Sequence, residues 1–353
     1  MTKELTVEDT KSYWGSNRGV HSWVHNGVRL VASAQRHYSP ELRLYKFEGG
    51  ALTLLATFSV PHNEISYTVT GTVFNQDSII VLGSYGASGD HEIFILKWDG
   101  ENLTTETSQS FVNACYYAYS WIENGSVMIA ATNENGFRIY KWNGTSLTNE
   151  ASVSWGLSCT KLHVWEEAGN RMIVVTGAVN HKADDYILYR WDGQNLVSVA
   201  EYTTGTTTEG VHSWVENGNR MIALGSGGAT YIVKWDGNTL SQQATFSKQP
   251  GTVHSWEEDG DRMLACGRSV ELFFLRWDGQ NLIEEQIDAA GRTNIRGVYS
   301  WEEDEDRLIA TVDDSGNNRL TIFRWAISMF PPSLSVVQVG DIIQATIEEG
   351  EPE

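Results

Sequence analysis

Between residues 12 and 330 the chain repeats one pattern of apolar and polar positions seven times. Each period opens with alternating residues, as in Gly210-Val-His-Ser-Trp-Val-Glu216, the period-two signature of a half-buried strand. A turn pair follows (Asn26-Gly27, Asn124-Gly125, Asn217-Gly218, Asp259-Gly260). Both residues of such a pair accept the positive φ that a tight hairpin demands. Next comes an unbroken apolar run such as Arg220-Met-Ile-Ala-Leu-Gly225 or Arg262-Met-Leu-Ala-Cys-Gly267, which suits a strand covered on both faces. A third strand, such as Tyr231-Ile-Val-Lys-Trp235, runs into an Asp-Gly turn and a fourth, such as Asn195-Leu-Val-Ser-Val-Ala200. Four antiparallel strands per repeat make one blade of a β-propeller. A lone sheet with two apolar faces buries neither, whereas stacking in a ring buries both. The pattern predicts an all-β, seven-bladed β-propeller.

Two markers fix the count. The first is His/Tyr-Ser-Trp or a close variant, at Trp23, Trp121, Trp165, Trp214, Trp256 and Trp301, with Thr72-Val73-Phe74 read as the second copy. The aromatics fall 51, 47, 44, 49, 42 and 45 residues apart. The second is Lys/Arg-Trp-Asp/Asn-Gly at Trp98, Trp142, Trp191, Trp235 and Trp277, with Phe47 and Trp325 completing the set. Five residues after each lies Leu52, Leu103, Leu147, Leu196, Leu240 or Leu282, and Phe330 in the last copy. Trp14 and Trp155 fall outside both series.

The ends predict how the ring closes. Residues 4–8 match a fourth strand yet precede the first repeat, while Pro331-Pro332 interrupts the seventh repeat where its fourth strand is due. Proline cannot donate to a ladder. The N-terminal strand is therefore expected to complete the last blade; the rival closure uses residues 333–337. Residues 1–330 read as the propeller and 331–353 as an acidic tail or linker.

Composition narrows the function. With 25 Lys+Arg against 45 Asp+Glu the net charge is -20, which argues against nucleic acid and anionic lipid as main partners. No apolar run is long enough to span a membrane as a helix. The polar N-terminus shows no signal peptide. Cys115, Cys159 and Cys266 are too few for a disulfide framework. No nucleophile elbow, HExxH, phosphate-binding loop or CxxC occurs, so neither an enzyme nor a cofactor is expected. The acidic stretches at 184–185, 302–306 and 313–314 lack the alternating spacing of a calcium loop, and no metal site is assigned.

A binding surface is expected on the face carrying the fourth-to-first and second-to-third strand connections, because variable loops on a rigid scaffold carry recognition. Tyr13, Trp14, Tyr38, Tyr67, Tyr85, Tyr116, Tyr117 and Trp155 lie on or beside those loops. Tyr13, Trp14, Tyr38, Tyr85, Tyr116 and Trp155 are the candidate ligand-binding residues, as exposed aromatics suit protein hot spots and sugar stacking; core-capping is the competing role. His21, His163, His212 and His254, with Tyr119 and Tyr299, are expected on the innermost strands, packing between blades and bonding to a neighbour's backbone or serine. The arginines that open the second strands (Arg29, Arg171, Arg220, Arg262, Arg307) are expected to be structural.

The segment Arg138-Ile-Tyr-Lys-Trp142 with Leu147, and Phe274-Leu-Arg-Trp277 with Leu282 and Gln286, resemble the EAR (EPTP) repeat of extracellular seven-bladed propellers. The resemblance extends over residues 12–330. It implies non-enzymatic recognition of an extracellular or cell-surface protein, as in adhesion. The alternative is a multivalent lectin that binds glycans through the loop aromatics.

Overall fold

The computed structural model describes residues 3–13, 15–36, 40–60, 65–85, 92–110, 114–155, 158–177, 186–206, 208–268, 271–288, 294–314, 318–327, 335–339 and 342–346. They form seven four-stranded antiparallel sheets and one separate two-stranded hairpin. The strands of each blade are lettered a to d from the channel outward. In the third blade these are Tyr117–Glu123, Ser126–Asn133, Gly136–Trp142 and Leu147–Ser154.

Burial follows the patterning. Strand b of that blade is buried at every position, while strand d, at the rim, is mostly exposed. Seven apolar clusters each span two neighbouring blades. One joins Trp256, Phe274 and Leu5 of the last two blades, and another joins Trp301 and Leu308 to Val31 and Phe47 of the first. The core is thus a closed cycle of inter-blade layers, each anchored by indoles that favour burial by about 2–3 kcal/mol apiece.

The ring closes as expected. The N-terminal strand, Lys3–Ser12, pairs antiparallel with Arg319–Ile327 of the seventh blade. Leu5 lies opposite Trp325, the place other blades give to a leucine such as Leu147 opposite Trp142. Leu5, not Phe330, is therefore the seventh copy of that position, and Phe330 lies outside the described residues. Arg324 Nε donates to Glu8 Oε1 at 2.8 Å, and Asp9 Oδ2 accepts from the Leu52 amide of the first blade at 2.7 Å. Residues 335–339 pair with 342–346 instead of closing the ring.

Three details differ from the pattern. The a–b turns are two-residue hairpins with both φ positive, as at Asn217 (48°) and Gly218 (76°). The c–d connections instead hold four residues in the second to sixth blades, and two, Gly49-Gly50, in the first. In the fifth blade the Asp236 carboxylate caps the turn, accepting from the Asn238 and Thr239 amides at 2.9 and 2.8 Å. Not every b–c connection is long: in the third and fifth blades only two residues separate strands b and c. Third, pairing of Phe74 with Asp77 at the hairpin puts Thr72, not Phe74, in the tryptophan position, because in the first blade Trp23 lies two residues before the equivalent His25.

A tie unseen in the sequence runs between blades. At three boundaries, from the fourth blade to the seventh, the glutamate two residues after the strand-a tryptophan accepts from that indole and from the strand-c indole of the next blade. Glu167 takes Trp165 at 3.0 Å and Trp235 at 2.9 Å; Glu216 takes Trp214 at 2.9 Å and Trp277 at 2.8 Å. The next blade's arginine lies over the first indole, with Cζ 5.2 Å from the ring centroid for Arg220 on Trp165 and 5.6 Å for Arg262 on Trp214. The arginines are structural, as expected: besides covering tryptophan faces, Arg171, Arg262 and Arg307 pair with Glu166, Glu257 and Glu302 beside the a–b turns at 3.0, 3.4 and 3.2 Å.

Candidate functional site

The seven a strands line the channel at two levels. At the inner level stand His21, Thr70, Tyr119, His163, His212, His254 and Tyr299. The six rings form a girdle interrupted at Thr70, with centroids 4.5 Å apart for His163–His212, 4.3 Å for His212–His254, 4.6 Å for His254–Tyr299 and 4.5 Å for His21–Tyr299. Three of the imidazoles bond across a blade boundary. His212 Nδ1 meets Ser255 Oγ at 3.0 Å, His254 Nδ1 meets Ser300 Oγ at 2.8 Å, and the Gly71 amide donates to His21 Nδ1 at 3.2 Å. These are the backbone and serine contacts the sequence implied. Burial pushes the His21 imidazolium down to about 4. Burial, with His254 and Arg220 adding, pushes His163 to about 3. Burial likewise holds His212 and His254 well below the ordinary imidazole range. The girdle is neutral at pH 7.

The outer level is built differently. Five of the seven a strands begin with a register shift, at Arg18, Tyr67, Thr160, Glu209-Gly210 and Arg296. A bulged residue leaves the ladder and its side chain is re-aimed. Here Arg18, Tyr67, Thr160, Glu209 and Arg296 all turn onto one cavity of about 490 Å³ at the channel mouth, on the long-loop face. Lys161 and Arg268 complete its charged lining. Among the described lining residues four cations face one carboxylate, Glu209, in a chain of net charge -20. Below the mouth the space narrows to about 110 Å³ at the girdle.

The cations crowd one another. Arg18 and Arg296 both bind Asp314, at 3.0 and 2.8 Å, and Asn294 also donates to that carboxylate. Arg18 and Arg36 flank the Tyr67 ring at 5.6 and 5.7 Å, and the Nε of each is buried without a hydrogen-bond partner. Burial lowers the Arg18 guanidinium, Asp314 opposes, and Arg296 and Arg36 push it further. Lys161 Nζ sits 4.7 Å from the Tyr117 ring centroid. Burial drives it down to about 8; Glu209 opposes, while Arg296 and Arg18 add to the shift. Neither Lys161 nor Arg268 forms an ion pair with a described residue.

The sequence-predicted aromatics do not form one patch. Tyr116 meets Tyr67 edge-on at 5.5 Å and donates to Glu134 at 3.0 Å; Tyr85 meets the same Tyr67 at 6.1 Å. Tyr67 and Tyr116 line the mouth, and Tyr85 packs on Tyr67. Tyr13 lies apart, hydrogen-bonded to Tyr45 and under Arg43 at 4.2 Å. Trp155 stacks on Tyr189 at 6.0 Å and donates to its hydroxyl at 2.8 Å. Both are half-buried against core clusters. Trp14 and Tyr38 lie outside the described residues. Sequence reading missed the cations. Their signal was a basic residue two or three positions before the girdle residue: Arg18 before His21, Lys161 before His163, Arg296 before Tyr299.

The fold and this walled channel define a seven-bladed β-propeller. Neither a family model nor a curated protein matches the chain. Solved structures of similar fold include that of BBS1N in complex with ARL6DN (TM-score 0.63, 10% identity, covering 93% of this chain and 99% of that one). They also include a chain of the Mitotic Checkpoint Complex (TM-score 0.66, 12% identity, covering 91% and 96%) and Saccharomyces cerevisiae Sqt1 (TM-score 0.62, 10% identity, covering 93% and 99%).

Proposed function

We propose that this propeller is a non-enzymatic recognition module that binds a protein partner through its long-loop face, centred on the channel mouth. The observation that carries the reading is the bulged rim. It gathers arginine, lysine and tyrosine from different blades onto one cavity, and arginine and tyrosine are the residues most enriched at protein hot spots. The girdle imidazoles are engaged in inter-blade packing, which supports a binding role over a catalytic one. Two of the solved propellers of similar fold were captured in complexes with other proteins. The EAR resemblance supports an extracellular or cell-surface partner.

The lectin alternative has one feature in its favour. Near-equivalent clefts of about 330, 350 and 420 Å³ repeat between blades on the opposite, tight-turn face. Their tryptophans, however, are only 2–5% exposed and their indole N–H groups are held by glutamates, so no ring face is offered to a sugar. The test is binding to arrayed cell-surface proteins and, in parallel, arrayed glycans. The expected result is a protein ligand lost on Tyr67→Ala or Tyr85→Ala and retained on Val215→Ser, an exposed position on the tight-turn face. Loss only with Val215→Ser, or binding only to glycans, overturns the reading.

A further inference from the structure

We infer that the channel mouth is an anion-selective subsite that takes the carboxylate side chains of an acidic, extended partner segment. This deepens the reading of the long-loop face as a recognition surface and rests on it.

Three observations converge. The rim cations come from the first, fourth, sixth and seventh blades (Arg18, Lys161, Arg268, Arg296), so positive charge stands on more than one side of the opening. A small ion engages one side; an extended segment with spaced carboxylates engages several. Second, the cations are under-compensated. Arg18 and Arg296 share the single carboxylate of Asp314, while Lys161 and Arg268 have no ion-pair partner among the described residues. The Nε atoms of Arg18 and Arg36 are buried and unbonded. An arriving carboxylate relieves this repulsion, and guanidinium presents a planar fork that matches carboxylate oxygens. Third, Tyr67 and Tyr116, with Tyr85 packed on Tyr67, form an aromatic wall beside the cations, which supplies apolar contact for the aliphatic stems of glutamate. The surrounding protein is acidic, so the mouth is where a negatively charged partner is drawn in while the remaining surface repels it.

The probe is a short fluorescein-labelled Glu/Ser peptide, with its Gln/Ser counterpart as control, measured by anisotropy against the full chain. The expected result is binding of the Glu peptide only, weakening with added salt. The Lys161→Gln/Arg268→Gln double variant should bind about tenfold or more weakly, the scale of losing charge-assisted contacts. Arg190→Gln, on a strand-c rim away from the mouth, should bind as the parent does. A second readout is Lys161 itself: bound peptide should raise its ionisation above about 8, followed by NMR of the reductively methylated lysine. Equal binding of the Gln peptide, unchanged affinity in the folded double variant, or binding of inorganic phosphate or citrate without the peptide each overturns the inference. If the Glu peptide fails while an arrayed protein still depends on Tyr67, the acidic-segment inference falls and the recognition role stands.

Discussion

Glu216 holds the indole N–H of Trp277 at 2.8 Å across a blade boundary while also accepting from Trp214 of its own blade. One carboxylate thus satisfies two buried donors and faces the Arg262 guanidinium that lies over Trp214. Hydrogen bonds to a charged group contribute about 1.5–3 kcal/mol, and orphaned buried donors cost a similar amount. Glu216→Ala should lower stability by about 3 kcal/mol, measured by urea unfolding. A midpoint unchanged from the parent would show that water replaces the carboxylate without loss.

Gly71 is small because of Trp23. A Cβ there would lie 2.5 Å from that indole, closer than atoms approach. Gly71→Ala should therefore destabilise by about 1–3 kcal/mol, the usual range for overpacking. Gly100 is the control. Its φ is +109° and nothing lies within 4 Å of a Cβ built there, so any loss at Gly100→Ala reports backbone strain alone. Thermal melts of both variants, with Trp23→Leu/Gly71→Ala recovering part of the loss, separate the two causes.

Removal of residues 1–12 deletes the outer strand of the seventh blade, exposes Trp325 and breaks the Glu8–Arg324 and Asp9–Leu52 ties. The melting temperature should fall sharply and proteolysis of the last blade should accelerate. Removal of residues 331–353 should do neither. Equal melting of the parent and the N-terminal deletion would sink the closure by the first strand.

Acid should loosen the ring before it titrates the carboxylates. The girdle imidazoles have folded ionisations depressed by burial, about 4 for His21 and about 3 for His163, against an ordinary value of 6.5. The unfolded chain binds more protons in that window. The stabilisation is therefore complete above pH 6.5 and is lost as pH falls toward 4, by about 1.4 kcal/mol per pH unit for each histidine. Melting temperature should decline from pH 7 to 4.5, and His163→Gln should flatten the slope by about one proton. A profile level across that interval would mean the girdle is hydrated and ionises freely.

The blades were legible because their physics is local. Alternation, paired turns and apolar runs state which face of each strand is covered, and Leu5 announced itself by matching a fourth strand in the wrong place. The second repeat misled because Thr72-Val73-Phe74 kept an aromatic near the expected spacing; only the hairpin at Asn75-Gln76 shows that Phe74 stands in the glutamate position of other blades. There it meets Trp142 at 5.7 Å, whose indole N–H has no hydrogen-bond partner. The aromatic trio at the mouth was half legible, since Tyr85 and Tyr116 were singled out and Tyr67, which joins them, was noted as a loop neighbour. The cations were not. Arg18 and Arg296 reach the mouth from bulges, and a bulge of one residue leaves almost no trace in a sequence whose loops already vary in length.

Those bulges separate two kinds of change. A residue inside a ladder answers to its cross-strand neighbours, so replacing it disturbs the blade. Arg18, Tyr67, Thr160, Glu209 and Arg296 sit outside that constraint, one to a blade, with their backbones held by strands that do not depend on their side chains. The rim is a combination lock whose dials sit on separate blades, two of them, Arg18 and Arg296, geared together through Asp314: charge, size and aromaticity can be reset there, and an engineer or a lineage can retarget the mouth while the ring below keeps its packing.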